Sequence, residues 1–286
     1  MKSTDIQKAY IGSTEVEKIY IGSDLIYQNA IDYSKEYFTI EPLADGTITF
    51  TNGAYASGSL SYSINKSTWI SVTSGVAITV TQGNNVYLKG NMIPPTGVIT
   101  SKSGIGTFSA TSNINILGNV MSLLYGDNYI DKTVLSGSDK TFYGLFIKNK
   151  KVISAENFIL PATTLTTGCY ICMFLGCSSL TNAPELPATT LANSCYNQMF
   201  ASCTSLTSAP ELHVTTVNAA AYMQMFNNCT SLNYIKCLAT DISAYNAFNN
   251  WVNNVASSGT FVKDKNTNWS TGANGIPSGW TVVDAS

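Results

Sequence analysis

Two carboxylates, Glu185 and Glu211, come nearer to a catalytic pair than any other residues of this sequence. They stand 26 residues apart, at equivalent points of an internal repeat. Two carboxylates that flank a bound glycan can serve as general acid and general base. The repeat by itself also generates this spacing, so the sequence favours an exposed ladder of glutamates over a catalytic pair. A glycan-acting enzyme is therefore the least favoured interpretation.

The seven cysteines, all within the repeats, offer a second possible chemistry. Cys169-x-x-Cys172 has the spacing of a redox or zinc pair, but the next repeat has Gln198 at the second position. No further C-x-x-C pair is present to complete a zinc site. The regular recurrence of cysteine instead predicts a ladder of small buried side chains. That ladder consists of Cys177, Cys203 and Cys229.

The only histidine, His213, stands where Pro161 and Pro187 stand in the other repeats, which marks drift of the repeat. No nucleophile–base pair and no glycine-rich phosphate loop accompanies it. The sequence therefore predicts a protein that is not an enzyme, with no catalytic residue, metal site or cofactor.

The repeat that positions these residues has a period of 26. Leu160-Pro-Ala-Thr-Thr-Leu165 returns as Leu186-Pro-Ala-Thr-Thr-Leu191 and, altered, as Leu212-His-Val-Thr-Thr-Val217. Such self-similarity is typical of a solenoid. Cys169 and Cys177 lie four residues on either side of Met173, which predicts one apolar helical face. The segments after these predicted helices are expected to be extended, as in a leucine-rich repeat.

Stacked repeats are expected to align polar side chains in columns on the surface. We interpret these columns as the possible ligand surface. The alternative is that the same polar residues only keep the surface of the stack hydrated. The predicted surface comprises Thr163, Thr164, Glu185, Thr189, Thr190, Glu211, Thr215 and Thr216.

Ahead of the repeats, residues 30–118 are predicted to form a β-sandwich, because short β-branched and aromatic runs alternate with turn signals. The predicted strands are 37–40, 47–50, 60–64, 68–72, 77–80, 86–89 and 114–116. The solenoid is assigned to residues 119–258, with a degenerate first repeat, and a C-terminal cap to residues 259–286. The fold class is thus mixed, all-β at the N-terminus and a short leucine-rich-repeat solenoid at the C-terminus.

Residues 1–29 hold a shorter repeat, in which Lys8-Ala-Tyr-Ile-Gly-Ser13 is echoed by Lys18-Ile-Tyr-Ile-Gly-Ser23. Short strands of this kind are too small to fold well alone. They are predicted to attach the chain to a copy of itself or to a partner's sheet, or else to pack on the next domain. The predicted attachment and oligomerisation residues are Tyr10, Ile11, Tyr20, Ile21 and Tyr27.

The amino-acid composition restricts the classes of partner that this chain is expected to bind. Charged residues make up 11% of the chain, the formal net charge is −2, and all 15 basic residues are lysines. Arginine is the preferred residue for bidentate recognition of phosphate and bases, so a nucleic-acid partner is not expected. The N-terminal sequence lacks an apolar signal-peptide core, and no apolar run is long enough for membrane insertion.

The repeat unit resembles the BspA-like leucine-rich repeats of Bacteroidales and their phages. The resemblance lies in its opening Leu-Pro-Ala-Thr-Thr-Leu and in the later segments Cys-Tyr-x-x-Met-Phe and Cys-x-Ser-Leu-Thr. The ending Gly275-Ile-Pro-Ser-Gly-Trp280-Thr-Val is similar to the usual terminus of that group, and residues 37–125 are similar to the β module that often precedes its repeats. The N-terminal Lys-x-Tyr-Ile-Gly-Ser repeats are similar to N-terminal segments of phage virion proteins, including those of crAss-like phages. The resemblance covers nearly the whole chain.

The resemblance implies a structural protein of the phage virion surface, a head or tail fibre or a decoration. It would join capsid or tail proteins through its N-terminus, assemble with itself, most simply as a homotrimer, and touch a host-surface glycan or protein. The alternative is a bacterial cell-surface adhesin or antigen of the same repeat family.

Overall fold

A computed structural model describes residues 31–95, 104–135 and 139–285, and the strand backbone of residues 10–11, 14–15, 18–21 and 24–28. The chain divides into two compact units, Met1–Asp32 and Tyr33–Ser286. The first unit contains two antiparallel strand pairs. These are β1 (Tyr10–Ile11) with β2 (Thr14–Glu15), and β3 (Lys18–Ile21) with β4 (Asp24–Gln28).

The second unit begins with two facing sheets. The larger sheet has the order β13-β12-β5-β10-β7-β8, with β14 also pairing with β12, and the smaller has the order β11-β6-β9. The larger sheet consists of β5 (Phe38–Pro42), β7 (Leu60–Ser63), β8 (Ile70–Ser71), β10 (Val86–Gly90), β12 (Ile114–Asn119), β13 (Val152–Ser154) and β14 (Phe158–Ile159). The smaller consists of β6 (Gly46–Asn52), β9 (Ala77–Val80) and β11 (Gly106–Ala110).

Side-chain alternation explains why these strands form two packed layers. In β10, Val86 and Leu88 are buried, whereas the intervening Tyr87 is half-exposed, as a period of two residues requires. Across the two sheets the rings of Phe38 and Phe108 lie 5.3 Å apart. This arrangement is compatible with the predicted N-terminal β-sandwich. The strand β11 was not predicted.

The predicted leucine-rich-repeat solenoid is wrong. The described chain consists mainly of β-sheets, and its one α-helix is α1 (Ser122–Tyr125), which lies before the repeats. Two 3-10 turns, Tyr33–Lys35 and Gly126–Asn128, are the other helical segments among the described residues. The expected helical face over residues 169–177 is instead a run of turns.

Alternate backbone amides explain how these turns are held. Within 166–177, the amide of Met173 donates to the carbonyl of Tyr170, which closes a turn. The amide of Tyr170 donates instead to the carbonyl of Cys195 in the following copy, at 3.0 Å. The same alternation continues along the segment, so half of its amides close turns and half join successive copies. We call the resulting body the repeat stack.

In each run of consecutive turns within the repeat stack, every fourth residue has a positive φ, between 50° and 76°. The third position of a type II turn requires this conformation, which an α-helix excludes. Three such residues occur in each of five layers. Layers 1 to 5 contain, in order, Lys140, Gly144 and Lys148; Gly168, Cys172 and Gly176; Ser194, Gln198 and Ser202; Ala220, Gln224 and Asn228; and Asn246, Asn250 and Asn254. We call these fifteen positions the left-handed rows.

Two columns of rings run through the centre of the repeat stack, with adjacent centroids 5.4 to 6.2 Å apart. Rings in the first four layers are nearly parallel, whereas the last step in each column is tilted. Parallel rings at this spacing bury large apolar areas in register. One column is Phe142, Tyr170, Tyr196, Tyr222 and Phe248, and the other is Phe146, Phe174, Phe200, Phe226 and Trp251.

Both ends of the repeat stack are covered. At the first layer, the amide of Phe108 in β11 donates to the carbonyl of Leu145, and Asn149 Nδ2 donates to the carbonyl of Phe108 at 3.1 Å. At the last layer, the fully buried Trp251 donates through Nε1 to the carbonyl of Gly275. A parallel sheet lies beside this end, formed by β15 (Tyr234–Cys237), β16 (Thr260–Lys263) and β17 (Thr281–Asp284).

Candidate functional site: the polar rows of the repeat stack

The six predicted threonines are all exposed, and the backbone holds part of them in register. The amides of Thr189 and Thr190 both donate to the carbonyl of Thr163, and Thr164 forms a parallel bridge with Thr190. Thr216 bridges forward to Asp241, but no bridge joins it to Thr190 within the described residues. The threonine columns are therefore continuous between the first two copies and interrupted before the third.

Hydroxyls of the threonine columns, and that of Thr240 in the copy that follows, form hydrogen bonds with backbone carbonyls of the preceding copy. Thr189 Oγ1 donates to the carbonyl of Thr163 at 3.4 Å, and Thr240 Oγ1 donates to the carbonyl of Thr215 at 3.3 Å. Such bonds orient a hydroxyl while leaving its lone pairs open to a ligand. The arrangement can present oriented hydroxyls at fixed spacing, which suits a polar, uncharged partner.

The two glutamates occupy different environments. Glu211 accepts from Lys236 Nζ at 2.5 Å and lies 3.4 Å from His213 Nδ1. Glu185 is exposed, and no contact between it and Glu211 occurs in the described part of the chain. Among the described residues, no hydrogen bond or ion pair brings the two glutamates together into a shared site.

The five residues predicted for attachment and oligomerisation lie in the first unit. Their backbone belongs to β1, β3 and β4, where Tyr10 pairs with Glu15 and Tyr20 with Leu25. Their side chains fall outside the described residues, so the predicted role of Tyr10, Ile11, Tyr20, Ile21 and Tyr27 stays a prediction.

All seven cysteines are buried. Burial raises the pKa of Cys195 and of Cys229 to about 12, so these thiols are protonated at neutral pH. Cys169 lies in the apolar core, whereas the adjacent Cys172 belongs to the left-handed rows. No group of three possible metal ligands occurs among the residues that the structure describes.

The left-handed rows form a second polar surface, which the sequence analysis missed. Gln198 Nε2 donates to Gln224 Oε1 at 2.7 Å, and Cys172 Sγ donates to Gln198 Oε1 at 3.4 Å. In the neighbouring row, Asn254 Nδ2 donates to Asn228 Oδ1 at 2.9 Å. Amide ladders of this kind stabilise stacked β structures. The recurrence of Gly, Asn and Gln at four-residue spacing was the signal that could have revealed them.

A shallow cavity of about 220 Å³ opens where β6 and β11 meet the first layer. Its lining includes Gly53, Gly104, Gly106 and the ring of Tyr143. Burial, together with a hydrogen bond to Cys172, raises the pKa of Tyr143 well above its usual range. This phenol therefore stays protonated at neutral pH and cannot serve as a general base there.

Within the described residues, no helical segment combines the length and the apolar character needed to span a bilayer. Comparison of the chain with known protein families, with curated proteins and with solved structures gives no match.

Proposed function

We propose that this protein is a structural component of a phage virion surface, a head or tail fibre or a decoration, that presents the repeat stack to the host surface or to a glycan. The observation that supports attachment is the set of hydroxyl and amide side chains held in register on the stack. The virion assignment rests on the resemblance of the sequence to virion proteins with BspA-like repeats.

The rigidity of the stack is what makes these side chains useful for binding. Each layer is joined to the next by backbone hydrogen bonds, such as Phe174 to Met199 at 2.8 Å and Phe200 to Met225 at 3.0 Å. Groups that are ordered before binding lose little conformational entropy when a ligand arrives. A row of weak polar contacts can then sum to a useful affinity.

The proposed function includes no catalytic step. The thiols are buried, burial raises the pKa of Cys195 and Cys229, and Glu211 is bound to Lys236. We propose that β1–β4 of the first unit join the chain to a capsid or tail protein and to further copies of itself, with a trimer as the simplest assembly.

Particles produced from the genome that encodes this chain provide the test. We expect mass spectrometry of purified particles to detect the chain and immunogold labelling to place it on their surface. The soluble chain added in excess should slow adsorption of the particles to host cells, whereas heat-denatured chain should not. Particles that lack the chain, with the chain found instead in the host envelope fraction, would exclude the virion role and favour the adhesin.

A further inference from the structure

Positive charge is concentrated at one end of the repeat stack. Three lysines, Lys148, Lys150 and Lys151, fall within four consecutive residues of the first layer, whereas residues 157–184 carry no charged side chain. We call these three residues the lysine end. In a chain with only 11% charged residues, such a cluster is unusual.

The fold does not require lysine at these positions. The amide of Lys148 donates to the carbonyl of Leu175, and the ring of Phe146 stacks on that of Phe174, which aligns the first layer with the second. This register places serine, threonine, glycine or asparagine opposite the lysines in later layers. The equivalents are Gly176, Ser178 and Ser179 in layer 2, Ser202, Thr204 and Ser205 in layer 3, and Asn228, Thr230 and Ser231 in layer 4.

The lysines are accessible and are not neutralised by neighbours. Lys148 and Lys150 are exposed and Lys151 is half-buried. No ion pair links any of the three to a carboxylate in the described ranges, and the nearest acidic residue in the sequence, exposed Glu156, does not pair with them. Three ammonium groups carried by four consecutive residues would all attract a bound anion.

The surface next to the lysine end indicates which kind of anion would fit. The backbone and Cγ of Lys148 lie against Gly176 of the second layer, so the lysine end adjoins that layer directly. Beyond the lysine end follow half-buried hydroxyls, among them Ser178 and Thr204, whose Oγ1 donates to the carbonyl of Ser178. Cationic groups that continue into uncharged hydroxyls match a chain of sugars that bears anionic groups at intervals.

We propose that the lysine end binds the anionic groups of an acidic polysaccharide, through carboxylate, sulfate or phosphate, while the adjoining hydroxyl rows contact its neutral sugars. This inference rests on the proposed attachment function and names its ligand class. Nucleic acid is a weaker match, because the chain has no arginine. In the described part of the chain, none of the three lysines lies within cation–π distance of an aromatic ring on which a base could stack.

Binding of the full chain to immobilised polysaccharides tests the proposal. The variant Lys148→Asn/Lys150→Thr/Lys151→Ser copies the residues of layer 4, and Asn suits the left-handed backbone at 148. The control Lys66→Asn/Lys132→Ser/Lys265→Ser removes the same charge elsewhere. Probes are polygalacturonate for carboxylate, dextran sulfate for sulfate, a phosphate-bearing teichoic acid for phosphate, and neutral dextran. Thermal unfolding confirms that both variants are folded.

We expect the native chain to bind at least one anionic polymer more tightly than dextran, with an affinity that falls as salt is added. The lysine-end variant should lose about tenfold or more of that affinity, because each lysine near a polyanion contributes about one charge contact, whereas the control should stay within about twofold. Equal binding by the native chain and the lysine-end variant would overturn the proposal. So would tighter binding to duplex DNA than to every polysaccharide. Detection of the chain in particles is measured separately, so either proposal can fail without the other.

Discussion

The thiols of the repeat stack act as hydrogen-bond donors between layers. Cys177 Sγ donates to the carbonyl of Phe146 at 3.1 Å, Cys203 to that of Phe174 at 3.2 Å, and Cys229 to that of Phe200 at 3.0 Å. A small apolar side chain with a weak donor can fill this buried position and still satisfy the carbonyl of the preceding layer. The same cysteine at each repeat is therefore explained by packing and requires no metal or redox chemistry.

This burial predicts that the folded protein will not react with thiol reagents. At about pH 8, an accessible cysteine of ordinary pKa reacts readily through its thiolate, whereas burial keeps these thiols protonated and shielded. We expect Ellman's reagent to detect no fast-reacting thiol in the native chain and all seven in denaturant. Rapid reaction of any cysteine under native conditions would contradict the buried ladder.

Asp127 shows how a surface residue can be fixed by its partners. Lys89 Nζ lies 2.7 and 2.8 Å from its two carboxylate oxygens, and Tyr37 donates to Oδ1 at 2.6 Å. Lys89 also lies 4.1 Å from the centre of the Trp69 ring, so one ammonium joins a carboxylate and an aromatic ring. Trp69 is thus half-buried at the surface of the sandwich.

These contacts make the stability of the folded protein depend on pH. The hydrogen bonds from Lys89 and then Tyr37 lower the pKa of Asp127 below 3.8, and the pKa of Tyr37 is raised to about 12, chiefly by burial and by its bond to Asp127. Because the folded-state pKa of Asp127 is depressed, its contribution to stability is present above the ordinary carboxyl pKa and is lost as the pH falls through the depressed value.

NMR titration of the Asp127 carboxyl carbon checks this prediction. We expect its pKa to lie below 3.8 in the native chain and to rise in Lys89→Met, which keeps the stem but removes the ammonium. The variant Lys132→Met, which removes a lysine that has no contact with Asp127, should leave the titration unchanged. A titration that is the same in Lys89→Met as in the native chain would show that the contact does not persist in solution.

At the scale of elements, the strands of the sandwich could be predicted and the turns of the repeats could not. The alternation of Ile48 and Phe50 with polar neighbours marked β6 directly. The spacing of Cys169, Met173 and Cys177 fits a helical face, but it fits a four-residue series of turns equally well. The backbone of Cys172, at φ 55°, distinguishes the two.

The left-handed rows predict a stabilising substitution at Ala220, whose φ is 53°. The equivalent positions hold Gly168 and Asn246, residue types that tolerate this conformation. Ala220→Gly should raise the free energy of unfolding by about 1 kcal/mol, because it removes the steric cost of Cβ in a left-handed conformation. Urea unfolding gives the measurement.

Ala219 provides the matched control, since it precedes Ala220 in the same turn and does not have a positive φ. Ala219→Gly should lower the free energy of unfolding by about 0.5 to 1 kcal/mol, because it only adds freedom to the unfolded chain. If both substitutions destabilise the protein equally, the turn geometry of layer 4 is not as described.

For the whole molecule, the sandwich and the repeat stack are parts of one compact unit. The parallel strands β13 and β14 of the first repeat complete the sheet at β12, and Phe38 contacts both Phe146 and Phe158. The sequence could not show this, because a contact between a sandwich strand and a degenerate repeat leaves no periodic signal. The threonine columns follow from the repeat and their role as a ligand surface stays a prediction, whereas Lys148, Lys150 and Lys151 have no lysine counterparts in the later repeats.

This continuity predicts that the sandwich does not fold without the stack. A fragment of residues 33–131 would leave β12 without β13 and β14, and would expose the buried faces of Phe38 and Phe108. We expect it to lack dispersed NMR signals and a cooperative thermal transition, whereas residues 33–286 should show both. A well-dispersed spectrum from the shorter fragment would prove that the sandwich is independent.

The way in which β11 meets the first layer has a further consequence. Asn149 donates to the carbonyl of Phe108 as Cys177 donates to that of Phe146, so the sandwich presents to the first layer the same contact that each layer presents to the next. The two ends are specialised, while the middle layers are interchangeable. Recombination between the DNA encoding the identical segments Leu160–Leu165 and Leu186–Leu191 would add or delete one 26-residue unit without altering either end. The length of the stack would then change while β11 and the C-terminal sheet keep their contacts with its two ends.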